Sequence, residues 1–233
     1  TLDYIRKVQA ADGAIAWEDG AKFDVWDHIE SAMGLTIGGD YDNARRAYDW
    51  LVRNQMSDGT WWAEYRNGII VDATRKETNF CAYVATGIWH YYLVTDDKAA
   101  ALSYWPMVKK AVDFVVGLQE ESGVIPWAGE PDGGPCDDAL VTGCSSIYKS
   151  LECAWQLSVL AGEPRQDWLE ARGKLGDALR NAPDQFDRTW ESKARFSMDW
   201  FYPVLTGVYR GQAAKARLAE RWDEFVVDGM GCR

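Results

Sequence analysis

An α/α toroid, a ring of antiparallel helical hairpins in a nearly all-α domain, is what this sequence describes, and three features point to it. One element recurs. Asp3-Tyr4-Ile5 leads to Gln9 and Gly13, Asp49-Trp50-Leu51 to Gln55 and Gly59, and Asp113-Phe114-Val115 to Gln119 and Gly123. In each copy an aromatic follows the Asp, the Gln stands six residues after the Asp, and the Gly four after the Gln. A shared register of this kind marks repeated supersecondary units. Helical segments also alternate in character. Those starting near Asp27, Glu77, Ser145 and Asp199 are apolar nearly all round, the pattern of a helix buried on every side, whereas those between them carry the charge. Finally, long loops follow the charged helices. All of them fall on one face of such a ring, and long loops in a compact domain carry function.

Leu2 to Gln9 reads as a short helix and Asp12 to Asp24 as a Gly-rich acidic loop. Trp26 opens a helix to about Ile37, with Asp27 suited to its N-cap and Gly38-Gly39 to its end. Tyr41 to Gln55 places Ala44, Ala47, Tyr48 and Leu51 on one helical face. Ser57 to Lys76 is a long loop with a small hairpin at Arg66-Asn67-Gly68. Glu77 to Thr95 is an apolar helix. Asp96 or Asp97 caps the next one, which runs to Gln119 and must bend or break at Pro106. After the loop from Gly123 to Thr142 come an apolar helix from Ser145 to Gly162 and a charged one from Gln166 to Asn181. Beyond the loop from Asp184 to Ser197, Asp199 to Arg210 is apolar again, with Pro203 in its first turns, and Gln212 to Val226 is amphipathic. Residues 1–233 therefore read as one domain of four to five hairpins, either an open arc or part of a longer six-hairpin ring. An incomplete ring would be closed by further chain or by a second copy in a homo-oligomer.

Composition bounds the function. A formal net charge of −11 leaves no basic face for nucleic acid and repels anionic membranes and polyphosphates on average. No run of about twenty apolar residues is present to span a bilayer. Five cysteines, an odd number without a CxxC pair, argue against a disulfide framework or zinc ribbon and for a reducing cytoplasm. The 13 Trp exceed what an ordinary core requires. They suggest a cavity lined by flat faces as well as packing.

The element Gln55-Met56-Ser57-Asp58-Gly59-Thr60-Trp61 resembles the repeat of squalene–hopene cyclases and of prenyltransferase β-subunits. Longer stretches resemble actinobacterial prenyltransferase-like proteins: Val25-Trp26-Asp27-His28, Glu77-Thr78-Asn79-Phe80-Cys81-Ala82-Tyr83, Ser145-Ser146-Ile147-Tyr148 and Ser197-Met198-Asp199-Trp200. That resemblance covers nearly the whole chain. The toroid is equally similar to that of six-hairpin glycosidases, whose loops carry Asp-Gly-x-Trp elements. The terpenoid resemblance implies specific motifs. An acid cyclase carries Asp-x-Asp-Asp and a diphosphate-ionising synthase Asp-Asp-x-x-Asp, and neither motif occurs here. Zinc-dependent prenyltransferases need an Asp, a Cys and a His, and neither His28 nor His90 has a Cys at ligand spacing.

The starts of the inner helices converge on the mouth of a toroid. They carry Trp26-Asp27-His28, Glu77 with Asn79, Ser145 with Tyr148, and Asp199-Trp200 with Tyr202. Carboxylates, amides, hydroxyls and Trp rings in one place suit a carbohydrate, and two carboxylates can serve as acid and base at a glycosidic bond. Asp27, Glu77 and Asp199 are the catalytic candidates, with His28 as a proton shuttle. Asn79, Ser145, Tyr148 and Tyr202 would orient substrate, and Trp26, Trp61, Trp62, Trp127 and Trp200 would stack on it. Asp27 and Asp199 also suit plain N-caps, and Glu77 suits a helix N-terminus by the macrodipole. Asp3, Asp49 and Asp113 read as structural. No cofactor is implied and no metal ligand set is recognisable. Glu130, Asp132, Asp137 and Asp138 form one acidic loop that could hold Ca²⁺ or Mg²⁺, or simply be solvated. The expectation is an enzyme acting on an oligosaccharide or small molecule, with a terpenoid enzyme and a non-catalytic binding toroid as alternatives.

Overall fold

A computed structural model describes residues 1–233. Its helices are α1 (Leu2–Val8), α2 (Val25–Ile37), α3 (Tyr41–Asn54), α4 (Thr78–Thr95), α5 (Lys98–Ser103), α6 (Trp105–Gly117), α7 (Val141–Leu160), α8 (Gln166–Asn181), α9 (Ser197–Leu205), α10 (Gly211–Glu220) and α11 (Trp222–Phe225). Three antiparallel ribbons join them: β1 (Glu64–Arg66) with β2 (Ile69–Asp72), β3 (Lys76–Glu77) with β4 (Ala128–Gly129), and β5 (Val226–Val227) with β6 (Gly231–Cys232). Helices α2, α4, α7 and α9 pack side by side as an inner layer. Outside them lie α3 against α2, α6 against α4, α8 against α7 and α10 against α9, with α1 beside α2. This is the toroid architecture.

The repeated element is a staple between neighbouring outer helices. Gln55 Nε2 donates to Gly59 O at 3.0 Å and to Met107 O of α6 at 2.9 Å. Gln119 Nε2 does the same to Gly123 O and to Ala171 O of α8, both at 2.9 Å. Gln9 reaches Gly13 O at 3.2 Å and Asn43 O of α3 at 2.9 Å. The glycines are required twice over. Gly59 has φ +90°, and a Cβ there would stand 2.4 Å from Lys110 O. The repeated Asp residues bond the next outer helix in two copies: Asp49 accepts from Tyr104 Oη at 2.9 Å, and Asp113 from Arg165 at 2.6 Å and Trp168 Nε1 at 3.2 Å.

Three differences from the sequence expectations matter for the site. The N-cap of α2 is Asp24, whose carboxylate accepts from Asp27 N at 2.8 Å, so Asp27 is inside the first turn. Helix α7 begins at Val141 and α9 at Ser197, which moves Ser145 and Tyr148 away from the helix start. The inner helices are not buried on every side. On α4, Phe80, Tyr83, Thr86 and His90 are half-buried and Leu93 is exposed; on α7, Lys149, Glu152 and Gln156 are half-buried and Val159 is exposed. On α7 part of that stripe is tied to the outer layer, since the Glu152 carboxylate accepts from Arg172 of α8 at 2.7 Å. At the C-terminal side α9 already ends at Leu205, and the expected helix from Gln212 to Val226 is divided at Arg221 into α10 and α11 before β5. Other expectations hold. Asp97 caps α5 through Ala100 N at 2.9 Å, the long helix breaks at Tyr104 with Pro106 in the first turn of α6, and the hairpin turns at Asn67 and Gly68, both with positive φ.

Candidate active site

The first turns of the inner helices and the loops feeding them lie at one end of the inner layer, and the concave surface they offer is called the crater below. On one side stand Asp24, Asp27 and Glu77. Burial of Asp24, together with the charge of Asp27 against it and of Glu77 beyond, pushes its carboxyl up to about 7. Glu77 lies at the end of β3, where pairing with β4 tucks it in, and burial raises it above the usual carboxylate range although Arg75 opposes the shift. Arg75 bonds Asp72 at 2.6 Å and Glu77 at 2.9 Å, with its guanidinium 5.4 Å from the Trp127 ring. Trp127 in turn meets Trp190 edge to face at 5.9 Å.

On the far arm, Asp199 is nearly buried and takes a short hydrogen bond from Thr142 Oγ1, in the first turn of α7. Burial raises this carboxyl as well. A cavity of about 700 Å³ opens beside it, lined by Leu140, Thr142, Lys193, Phe196 and Phe225 among others.

The crater has an aromatic floor. Trp26 of α2 lies 5.2 Å from Tyr83 of α4 and 6.1 Å from Tyr202 of α9, so rings from three inner helices meet. Phe80 adds an edge at 6.2 Å. The Glu30 carboxylate accepts from Trp26 Nε1 at 2.7 Å and from Tyr83 Oη at 3.2 Å. Two buried polar atoms lie nearby, Asn79 Oδ1 with no hydrogen-bond partner in the protein and Ser146 Oγ with only the Tyr202 hydroxyl in reach.

Asp27 and Glu77, both near Asp24, Asn79 two residues after Glu77, Trp127 joined to Thr78 through the backbone, and Trp26 with Tyr202 of the helix that carries Asp199 are thus linked by neighbouring contacts at this end of the fold. The other candidates are not. His28 is fully buried: Ile15 N–H donates to Nδ1 at 3.1 Å and Nε2 faces Ala47 O at 2.9 Å, which fixes a neutral Nε2–H tautomer, and burial lowers the imidazole to about 4. It ties loops and cannot shuttle protons. Trp61 is buried with Nε1 donating to Leu51 O at 3.0 Å, and offers no face to a sugar. Trp200 donates through Nε1 to Arg217 O at 2.8 Å and is held between α9 and α10. Tyr148 is covered by the Arg172 guanidinium at 3.9 Å on the α8 side. Ser145 donates to Val141 O at 2.7 Å within its own helix. Trp62 is half-buried, with its ring face taken by Lys76 Nζ at 5.3 Å. The acidic loop does not gather its carboxylates: Asp138 accepts from Ala139 N, Arg188 N and Thr189 N, while Asp132 caps Gly134 N at 3.0 Å. No group of three or more His, Cys, Asp or Glu side chains is placed to hold a metal ion. Sequence reasoning missed Asp24, Arg75, Thr142 and Trp190. Asp24 had a signal, an Asp directly before the apolar run of α2.

No family model matches the chain, so the prenyltransferase-like resemblance finds no support there. The chain is 46% identical, over all 233 residues, to a protein from Mycolicibacterium hassiacum described as an MMP endo-(1,4)-3-O-methyl-alpha-D-mannosidase, and spans 63% of that protein's length. Among solved structures it is similar to a sugar epimerase from a ruminal bacterium (TM-score 0.76, 10% identity, 98% of this chain and 69% of that one). It is similar also to a GH63 mannosylglycerate hydrolase from Thermus thermophilus (TM-score 0.72, 13% identity, 97% and 78%). A rhamnosidase from Klebsiella oxytoca matches at TM-score 0.64 with 17% identity, over 95% of this chain and 46% of that one. At such identities these likenesses establish the fold, and the chain is an all-α toroid of the kind seen in carbohydrate-active proteins.

Proposed function

We propose that the protein hydrolyses an α-mannosidic oligosaccharide by acid/base catalysis in this crater. The observation that carries the reading is the Asp24–Asp27–Glu77 cluster at the end of the inner helices where Trp26 meets Tyr83 and Tyr202, in a chain whose relative is described as an endo-mannosidase. Asp24, protonated near neutrality, supplies the proton to the leaving glycosidic oxygen. Water adds to the anomeric carbon as that bond breaks, and its proton passes to a second, ionised carboxylate. Asp27, Glu77 and Asp199 are the candidates for that role. Trp127, braced by Arg75, stacks on a sugar at the rim. The five unpaired cysteines favour a reducing compartment, and no helix is long and apolar enough to cross a membrane.

The test is hydrolysis of 3-O-methylated 1,4-α-mannan oligosaccharides by the full chain and by Asp24→Asn, Asp27→Asn, Glu77→Gln and Asp199→Asn. Loss of the acid and of the base each lowers kcat by a factor of about 10² to 10⁴. Unchanged turnover in all four variants would refute the assignment. The terpenoid alternative has no observation in its favour.

A further inference from the structure

The crater floor has a chemistry of its own. Four rings meet there, from α2, α4 and α9: Trp26, Phe80, Tyr83 and Tyr202. A floor of Trp and Tyr ordinarily offers N–H and O–H donors to sugar hydroxyls. Here two of the three polar edges are already engaged within the protein. Trp26 Nε1 donates to Glu30 at 2.7 Å and Tyr83 Oη donates to the same oxygen at 3.2 Å. Neither residue has a donor left to offer, and beyond the Tyr83 Oη lone pairs they present ring face and ring edge to a ligand. Trp26, Phe80 and Tyr83 remain only half-buried, so those surfaces are reachable. At the border of the floor, Ser146 lies beside Tyr202, and Asn79 directly precedes Phe80. Asn79 Oδ1 is buried without a protein partner and Ser146 Oγ has only the Tyr202 hydroxyl in reach, so a ligand hydroxyl would satisfy them.

We propose that this floor is a cradle for an O-methyl group on a hexose, with Glu30 as the positioning residue that turns two polar rings into an apolar surface. The inference rests on the hydrolase reading for its substrate but concerns recognition only. A free hydroxyl pressed onto the ring faces gives up its water and gains no partner there, whereas a methyl ether gains apolar contact. Asn79 Oδ1 and Ser146 Oγ then take unmethylated hydroxyls of the same sugar. One methyl in an apolar pocket discriminates by about 10-fold or more.

The experiment measures binding of methyl 3-O-methyl-α-D-mannopyranoside and of methyl α-D-mannopyranoside to the full chain by tryptophan fluorescence. The methylated glycoside should bind about 10-fold more tightly. Trp26→Ala should bring the ratio close to one. Glu30→Leu should reduce the ratio by freeing Trp26 Nε1 and Tyr83 Oη, while Glu30→Gln, which still accepts both bonds, should restore it. Tyr83→Phe, which removes one engaged donor and keeps the ring, should preserve the preference and serves if Trp26→Ala does not fold. Equal affinities in the unsubstituted protein, binding of neither glycoside, or a ratio unmoved by Glu30→Leu would overturn the proposal. Hydrolysis is scored separately. A methyl preference without turnover keeps the cradle and sinks the hydrolase reading, whereas turnover with no methyl preference does the reverse.

Discussion

Asp24 shows how one side chain can serve structure and chemistry in opposition. As the N-cap of α2 it accepts the backbone N–H of Asp27, yet burial and the neighbouring carboxylates push it up to about 7. A carboxyl raised in the folded state binds more protons there than in the unfolded chain. Its contribution to stability is therefore full below pH ~4 and is lost as pH rises through ~7. Asp24→Asn keeps a capping oxygen and removes the charge. It should stabilise the protein at pH 8 by on the order of 2 kcal/mol and leave stability at pH 3 unchanged, read from thermal unfolding at the two pH values. Equal effects at both pH values would mean that the carboxylate is not strained in the fold. His28 runs the other way. Its imidazole is lowered to about 4, so its contribution is present above pH ~6.5 and fades as pH falls through ~4. His28→Phe leaves Ile15 N–H buried without a partner and removes the second hydrogen bond of Ala47 O, and should cost about 1 to 3 kcal/mol in denaturant unfolding.

Among the elements, the Gln-x-x-x-Gly staple is the unit that repeats, and its consequences can be measured apart from any activity. Gln55→Ala strips Gly59 O of its side-chain donor and cuts the cross-link to Met107 O of α6, and should cost about 1 to 3 kcal/mol. Gly59→Ala forces a Cβ onto Lys110 O at a positive φ, so it should destabilise at least as much. If chevron or equilibrium unfolding shows either variant within about 0.5 kcal/mol of the parent protein, the staple is not what holds the outer layer together. Much of this was legible in the sequence. Three copies in one register disclosed the hairpins, Asp97 and Pro106 disclosed the broken helix, and Arg66-Asn67-Gly68 disclosed the ribbon. The start of α7 was not legible, because Thr142, the capping residue type in this stretch, lies inside the first turn rather than at the N-cap. Leu140 sits at the N-cap with no side-chain bond, and tertiary packing sets that boundary instead.

Across the arc as one body, the tryptophans fall into two populations. Trp50, Trp61 and Trp168 are sealed in the core, while Trp26 and Trp127 flank the crater. Trp61→Ala should lower stability by about 3 to 5 kcal/mol with little effect on ligand affinity of the protein that remains folded. Trp127→Ala should weaken oligosaccharide binding with only a small change in melting temperature. The reverse result, in paired calorimetry and fluorescence titrations, would show that the crater has been misplaced.

Period and repetition are local quantities, so the toroid, the alternation of inner and outer helices and the loops that converge on one end all follow from the order of residues alone. So does the presence of Asp27, Glu77 and Asp199 at that end, since each stands near the start of an inner helix. Which neighbours each group meets is settled by the packing of the folded chain. That packing took His28, Trp61, Tyr148 and Trp200 into structural contacts, brought Asp24 against Asp27, set Arg75 between Glu77 and Trp127, and joined Trp26, Tyr83 and Tyr202 from three helices. Burial and electrostatic coupling act between residues far apart in the chain, and a residue's type and helical phase say which face it occupies but not what stands opposite.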